Sequence, residues 1–246
     1  MKNIFNGFGL AVSMLTTIPF FKIHNFYKGI NGYSVMFYPL VGFLLGVILW
    51  ATALLLEPYV ATSHLGIILF ALWVLLTGAL HLDGFSDTVD GLYVKKERAL
   101  AVMKDPNTGG MGMIFSVTFL ILKASTLSVF DAFYLLPLLL MYGRLNTVLA
   151  IYFYPYVSPN GMSTLAKEEL KSSQILIAFL YTLALSLIVA GVMTSVILLL
   201  TSLLVLFVIK TFFIKRYGGF TGDIYGFLIE LTELVLLNVM LIWIVL

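Results

Sequence analysis

The sequence contains no cysteine among its 246 residues, which excludes disulfides, zinc–thiolate centres and thiol nucleophiles. Charge is scarce as well. Only 11% of the residues are charged and 61% are hydrophobic, where a soluble domain carries about 25% charged residues. No stretch has the composition of a soluble domain, so residues 1–246 read as one integral membrane domain. The net charge of +2 is too small to draw nucleic acid. The start, Met1-Lys2 and a mildly apolar run, lacks a small-x-small cleavage site and is broken by Asn6, Gly7 and Gly9. It reads as retained.

What the chain has in abundance is apolar runs. Residues 4–21 are short and interrupted, which predicts an interfacial or re-entrant helix. Longer runs fall at about 33–56, 65–82, 111–129, 133–154, 174–193, 195–214 and 226–246, each near the ~20 residues that a helical span needs. The expectation is an all-α polytopic bundle of about seven transmembrane helices plus the N-terminal helix.

With the N-terminus inside, the inner segments hold Lys2, Lys22, Lys28, Lys95, Lys96, Arg98, Lys104, Lys167, Lys171, Lys210, Lys215 and Arg216, twelve of the 14 basic residues. The outer links hold none, and Lys123 and Arg144 lie within spans. By the positive-inside rule the N-terminus faces the cytoplasm. The same topology puts every polar motif at one membrane face.

One of those motifs stands out. In His81-Leu82-Asp83-Gly84-Phe85-Ser86-Asp87-Thr88-Val89-Asp90-Gly91, three of the chain's 12 acidic residues fall within eight positions. On a helix, Asp83, Asp87 and Asp90 are i, i+4 and i+7 and share one face. Facing lipid at a span centre they would cost about 2.5–3.5 kcal/mol each, roughly 7–10 in all. A divalent cation or a cationic partner is the usual compensation, and Mg²⁺ takes carboxylate oxygens, water and substrate phosphates. One aspartate of such a group can also act as general base towards a hydroxyl. The plainer alternative is a solvated helix end.

Asp223, Glu230 and Glu233 form a second acidic stripe. Intramembrane acids mark function unless they pair internally, and Lys123 and Arg144 are the partners available for Glu233. Asp223 stands where a helix begins, as an N-cap or first-turn acid. Glycines at 109–112 and 218–222 each precede a span and offer backbone N–H groups to phosphate. Lys104 and Asp105 flank the first; Lys215 and Arg216 flank the second and suit lipid head groups equally. Arg144 needs an acid or a phosphate. His81 abuts the aspartates, whereas His24 and His64 read as surface residues.

These blocks resemble the cobalamin synthase family, the adenosylcobinamide-GDP ribazoletransferases. The resemblance runs through Leu15-Thr16-Thr17-Ile18-Pro19, Tyr38-Pro39-Leu40-Val41-Gly42 with Gly46, the histidine–aspartate block, and Met103-Lys104-Asp105 with 109–112. It continues in Gly143-Arg144, Pro155-Tyr156 and Gly218-Gly219-Phe220-Thr221-Gly222-Asp223 with Glu230 and Glu233. Family members carry basic residues where Thr17, Asn107 and Ser158 stand here, so no phosphate role passes to those three.

The resemblance implies that adenosylcobinamide-GDP and α-ribazole, or its 5′-phosphate, are joined with release of GMP, using Mg²⁺. On that expectation Asp83, Asp87 and Asp90 are catalytic and bind metal, with Asp223 and Glu230 completing the shell. His81, Lys104, Asp105, Arg144 and Gly222 bind substrate. The expected setting is a prokaryotic plasma membrane, with the site on its cytoplasmic face and with lipid, a second copy or other cobalamin-assembly enzymes as neighbours. Two other readings are a CDP-alcohol phosphotransferase-like lipid enzyme, whose Asp-Gly-x-x-Ala-Arg pattern is missing here, and a divalent-cation transporter.

Overall fold

A computed structural model describes residues 2–19, 27–158 and 163–245; Lys22 and His24 lie outside the described residues. The described residues are mainly helical, and the pairing of Tyr156 with Phe220 is an isolated bridge. In order, the helices are α1 (Lys2–Leu15), α2 (Ile30–Met36), α3 (Tyr38–Leu56), α4 (Thr62–Thr77), α5 (Leu80–Leu92), α6 (Lys96–Val102), α7 (Gly110–Ser128), α8 (Leu136–Phe153), α9 (Ser163–Glu169), α10 (Ser172–Tyr217) and α11 (Gly222–Val245).

Among the described residues, five helices are long and apolar enough to cross a membrane. A sixth crossing forms if α4 and α5, bent by 85°, count as one. This is a polytopic membrane bundle, but length and composition do not establish the count of seven. Much of the difference lies in α10. Its 46 residues are broken at Gly191, whose φ of 70° is left-handed. The Ser186 hydroxyl donates to Ser195 Oγ over 2.9 Å, whereas nine residues of straight helix would separate the two by about 13.5 Å. The two arms therefore fold back on each other. The sequence places a link close by, at 194.

At its N-terminal end, α1 is too short to cross a bilayer. It packs through Gly7 against the backbone of α2 at Tyr33 and Ser34. The bundle is built around α8, which is buried along nearly all its length. Its closest partner is α3, where Gly42 lies against Leu140 and Gly46 against Pro137. Two glycines four apart let the backbones approach, as small residues do between membrane helices. Asn146 ties three helices together: its amide donates to Ser202 O at 2.8 Å in α10 and to Thr232 Oγ1 at 3.1 Å in α11.

Gly46→Leu drives a side chain into the backbone at Pro137. Overpacking of this kind costs about 1–3 kcal/mol, so the thermal unfolding temperature in detergent is expected to fall. Leu44→Ala, at an outward-facing position, is expected to shift stability by no more than about 0.5 kcal/mol.

Candidate active site

The polar end of the bundle is organised by α5. Thr17, just beyond α1, ties off the end of α4: its N–H donates to Leu76 O at 2.9 Å and its hydroxyl to Leu75 O at 3.0 Å. Gly78 (φ 60°) and Ala79 (φ 55°) then turn the chain with two successive left-handed residues. An L side chain in that conformation costs about 1–2 kcal/mol, so the packing of α5 must hold Ala79 there.

That packing is against α11. A Cβ on Gly84 would stand 2.9 Å from Asp223 O, and one on Gly226 would stand 3.0 Å from His81 O. The Phe85 and Phe227 rings stack at 5.1 Å. At the far end of α5, Tyr217 Oη donates to Gly91 O at 2.9 Å, and Arg216 Nη2 donates to Leu92 O at 2.9 Å and Val94 O at 3.3 Å. Arg216, a lipid-headgroup candidate from its sequence position, thus caps the C-terminal carbonyls of α5.

The start of α11 is equally fixed. Thr221 Oγ1 accepts the Ile224 N–H at 3.2 Å. Thr221 is therefore the N-cap, and Asp223 is a first-turn acid at the positive end of the helix. The preceding loop is pinned by Val157 N–H to Phe220 O at 2.9 Å and by Phe220 N–H to Pro155 O at 2.8 Å.

The crossing brings Asp83 and Asp223 into the lining of one cavity of about 460 Å³, together with His81 and Gly222. Asp83 is exposed; Asp87 and Asp223 are half-buried. Asp87 feels the negative charges of Asp83, Asp223, Asp90 and Asp105, in that order. Asp223 feels Asp83 and, in the opposite sense, Lys104. Lys104 and Asp105 are exposed on the loop before α7. The Asn107 backbone N–H and side-chain amide both donate to Asp105, at 2.9 and 2.8 Å, and these bonds hold its carboxyl below the usual carboxylate range.

Asp90 departs from the expected trio. It is buried, and its two oxygens accept the Gly109 and Gly112 N–H groups, each at 2.7 Å. A Cβ at either glycine would collide with this carboxylate. The glycine-rich turn read as a phosphate cradle therefore holds the protein's own aspartate, which anchors the N-terminus of α7. Holding a backbone N–H on each oxygen gives Asp90 a positioning role.

Glu230 and Arg144 also stand apart from the cluster. Lys123 Nζ lies 2.8 Å from Glu230 Oε2 and 2.9 Å from Glu233 Oε2, and 4.0 Å from the centre of the Trp73 ring. Arg144 pairs with the other oxygen of Glu233. All four ionic side chains are buried. Two cations and two anions balance inside the bundle, so neither Glu230 as a metal ligand nor Arg144 as a phosphate contact matches the arrangement. Glu233 finds both of the partners the sequence offered it.

Among the described residues no three His, Cys, Asp or Glu side chains stand together as a ready-made metal cage. The donor chemistry still fits a hard divalent cation. Asp83, Asp87 and Asp223 offer carboxylate oxygens only. None of the three has an ion-pair partner among the described residues. Tyr38, named above only within a family-like block, also lines the cavity, as do Thr147 and Tyr225, which the sequence did not single out. Thr147 lies within an apolar run and Tyr225 just before one, so neither carried a signal of its own.

Residues 7–241 match the family described as cobalamin-5-phosphate synthase. A protein of Desulforamulus reducens named adenosylcobinamide-GDP ribazoletransferase is 36% identical over 241 residues, covering 94% of each chain. Proteins of the same name from Thermosynechococcus vestitus and Pseudomonas aeruginosa strain PAO1 are each 37% identical over 210 residues. The first covers 81% of this chain and 82% of its own; the second covers 82% and 84%. No solved structure matches.

The balanced interior quartet yields a stability test. Lys123→Met leaves two buried carboxylates facing one guanidinium and is expected to destabilise by about 3–5 kcal/mol. Lys123→Met combined with Glu230→Gln restores neutrality and should lose less than the single variant. Thermal unfolding of the purified protein in detergent measures both.

Proposed function

Because the chain belongs to the cobalamin-5-phosphate synthase family, we propose that it joins adenosylcobinamide-GDP to α-ribazole, or to the 5′-phosphate of α-ribazole, and releases GMP. The product is adenosylcobalamin or its 5′-phosphate. The observation that carries this reading is the meeting of Asp83 and Asp223 in one cavity, within a chain that matches the family almost from end to end.

The reaction is phosphoryl transfer to an alcohol. A hydroxyl oxygen of ribazole attacks the phosphorus on the corrinoid side of the diphosphate, and a new P–O bond forms. The bond from that phosphorus to the bridging oxygen breaks, and GMP departs with that oxygen. The hydroxyl proton passes to a carboxylate. In this reading Asp83 or Asp223, which line the cavity, receives it. There is little covalent chemistry for the protein to perform, so positioning and charge dominate.

Asp83, Asp87 and Asp223 are the residues that would hold Mg²⁺, which when bound supplies the positive charge a diphosphate needs near three carboxylates. Lys104, on the adjoining loop, adds a cation for the phosphates, and Asp105 borders the same rim. Asp90 holds the glycine turn of α7 in place. The asymmetry of twelve basic residues to none supports an orientation with this end of the bundle in the cytoplasm, and the setting that goes with this reading is a prokaryotic plasma membrane.

Asp87→Asn should reduce GMP release in proteoliposomes by at least about 10²-fold, the scale of losing an electrostatic contact to the transition state, while the protein still inserts. Chelation should abolish release, and added Mg²⁺ or Mn²⁺ should restore it. Near-normal activity of the variant would remove Asp87 from the mechanism. Activity that survives chelation would remove the metal.

A further inference from the structure

The cavity at the crossing of α5 and α11 has walls of two kinds. Met14, Ile151 and Ile229 give it apolar surface, and Asp83 and Asp223 give it carboxylates. Its volume of about 460 Å³ lies within the range of small-molecule sites. It suits a nucleoside and is far too small for a corrin ring with its side arms.

Two buried polar atoms of its lining residues have no partner among the described residues: His81 Nε2 and Tyr225 Oη. Both residues are 4% exposed. Buried polar atoms are nearly always hydrogen-bonded, so two unpaired ones at the same cavity call for a partner from outside the chain. Gly222 adds a third sign. A Cβ there would meet nothing within 4 Å, and its φ is not left-handed. Neither crowding nor backbone conformation explains a bare residue at that rim, whereas close approach of a ligand does.

The occupant's chemistry follows from these walls. Two carboxylates accept from hydroxyl donors such as those of a ribose. Against Met14, Ile151 and Ile229 guanine would set polar edge atoms that those side chains cannot pair. A benzimidazole ring has no such edge to satisfy. Resting on the ribazoletransferase reading, we propose that this cavity seats the acceptor nucleoside, not the guanosine of the donor. The apolar base of α-ribazole lies among Met14, Ile151 and Ile229. Its ribose hydroxyls turn towards Asp83 and Asp223, with His81 Nε2 and Tyr225 Oη as polar partners.

Two variants of the full chain in proteoliposomes test this. Gly222→Leu places a side chain in the open space, and Tyr225→Phe removes only the hydroxyl. Apparent KM for each substrate comes from GMP release, and equilibrium dialysis gives α-ribazole binding directly. For α-ribazole, KM and Kd should rise by about tenfold or more in Gly222→Leu and by about fivefold in Tyr225→Phe. KM for adenosylcobinamide-GDP should stay within about twofold in both. A rise confined to adenosylcobinamide-GDP would assign the cavity to the donor and overturn the proposal. Unchanged constants for both substrates would overturn it too. If the wild-type chain releases no GMP yet binds α-ribazole in a Gly222-sensitive way, the cavity assignment stands and the transferase reading falls. Absence of both release and binding overturns the two together.

Discussion

The close approach of α5 to α11 is the constraint on which the site depends. Gly84 and Gly226 have no side chains to keep the helices apart, and the stacked Phe85 and Phe227 rings hold them in register. The approach also requires the 85° turn between α4 and α5, made by two left-handed residues, one of them an alanine. A straight continuation of α4 would carry Asp83 away from Asp223. The strain at Ala79 is offset by contacts at both ends of α5: the glycine crossing, and the Arg216 and Tyr217 caps on its last carbonyls.

The acids of this chain divide by what neutralises them. Inside the bundle, Glu230 and Glu233 meet Lys123 and Arg144 at ion-pair distance and are buried. Leaving such a group unpaired would cost several kcal/mol, so the four behave as one balanced unit joining α7, α8 and α11. Asp90 is served by two backbone N–H groups at the start of α7, where a negative charge is favoured. Asp83 and Asp87 have neither kind of compensation among the described residues, and Asp223 has no ion pair, accepting from the Thr221 hydroxyl at 3.3 Å and feeling the charge of Lys104. They repel one another at a single rim, which is the condition under which a ligand cation or a hydroxyl donor is most strongly held.

Much of this was legible in the sequence, and the limits have physical causes. Hydropathy located the long helices because a bilayer demands about 20 apolar residues whatever the neighbours are. The i, i+4, i+7 spacing placed the three aspartates on one helical face, because that follows from helix geometry alone. The partner each one meets does not follow from it. Asp90 is filled by the backbone of α7, and the chain is 19 residues away at Gly109. Likewise Arg144 was expected at the site because a buried charge needs a counterpart, and Glu230 because of the family resemblance. Only tertiary packing decides that the counterparts are Glu233 and Lys123. The turn at 78–79 escaped notice because alanine carries no sign of a left-handed conformation.

The same division of charges bears on the cation-transporter reading. A transport site lies near the midplane and must bind and release its ion there, with acids free to accept it. The acids deepest in this bundle are not free: each carboxylate oxygen that faces Lys123 or Arg144 already sits in a charge-balanced contact. The carboxylates without a cation are those at the start of α11 and along α5, at one end of the bundle, beside a cavity with apolar walls. An ion in transit has no use for apolar walls, but the aromatic base of a nucleoside does. Free acids at one rim and neutralised acids within therefore favour chemistry on a ligand entering from one side over passage of an ion through the middle.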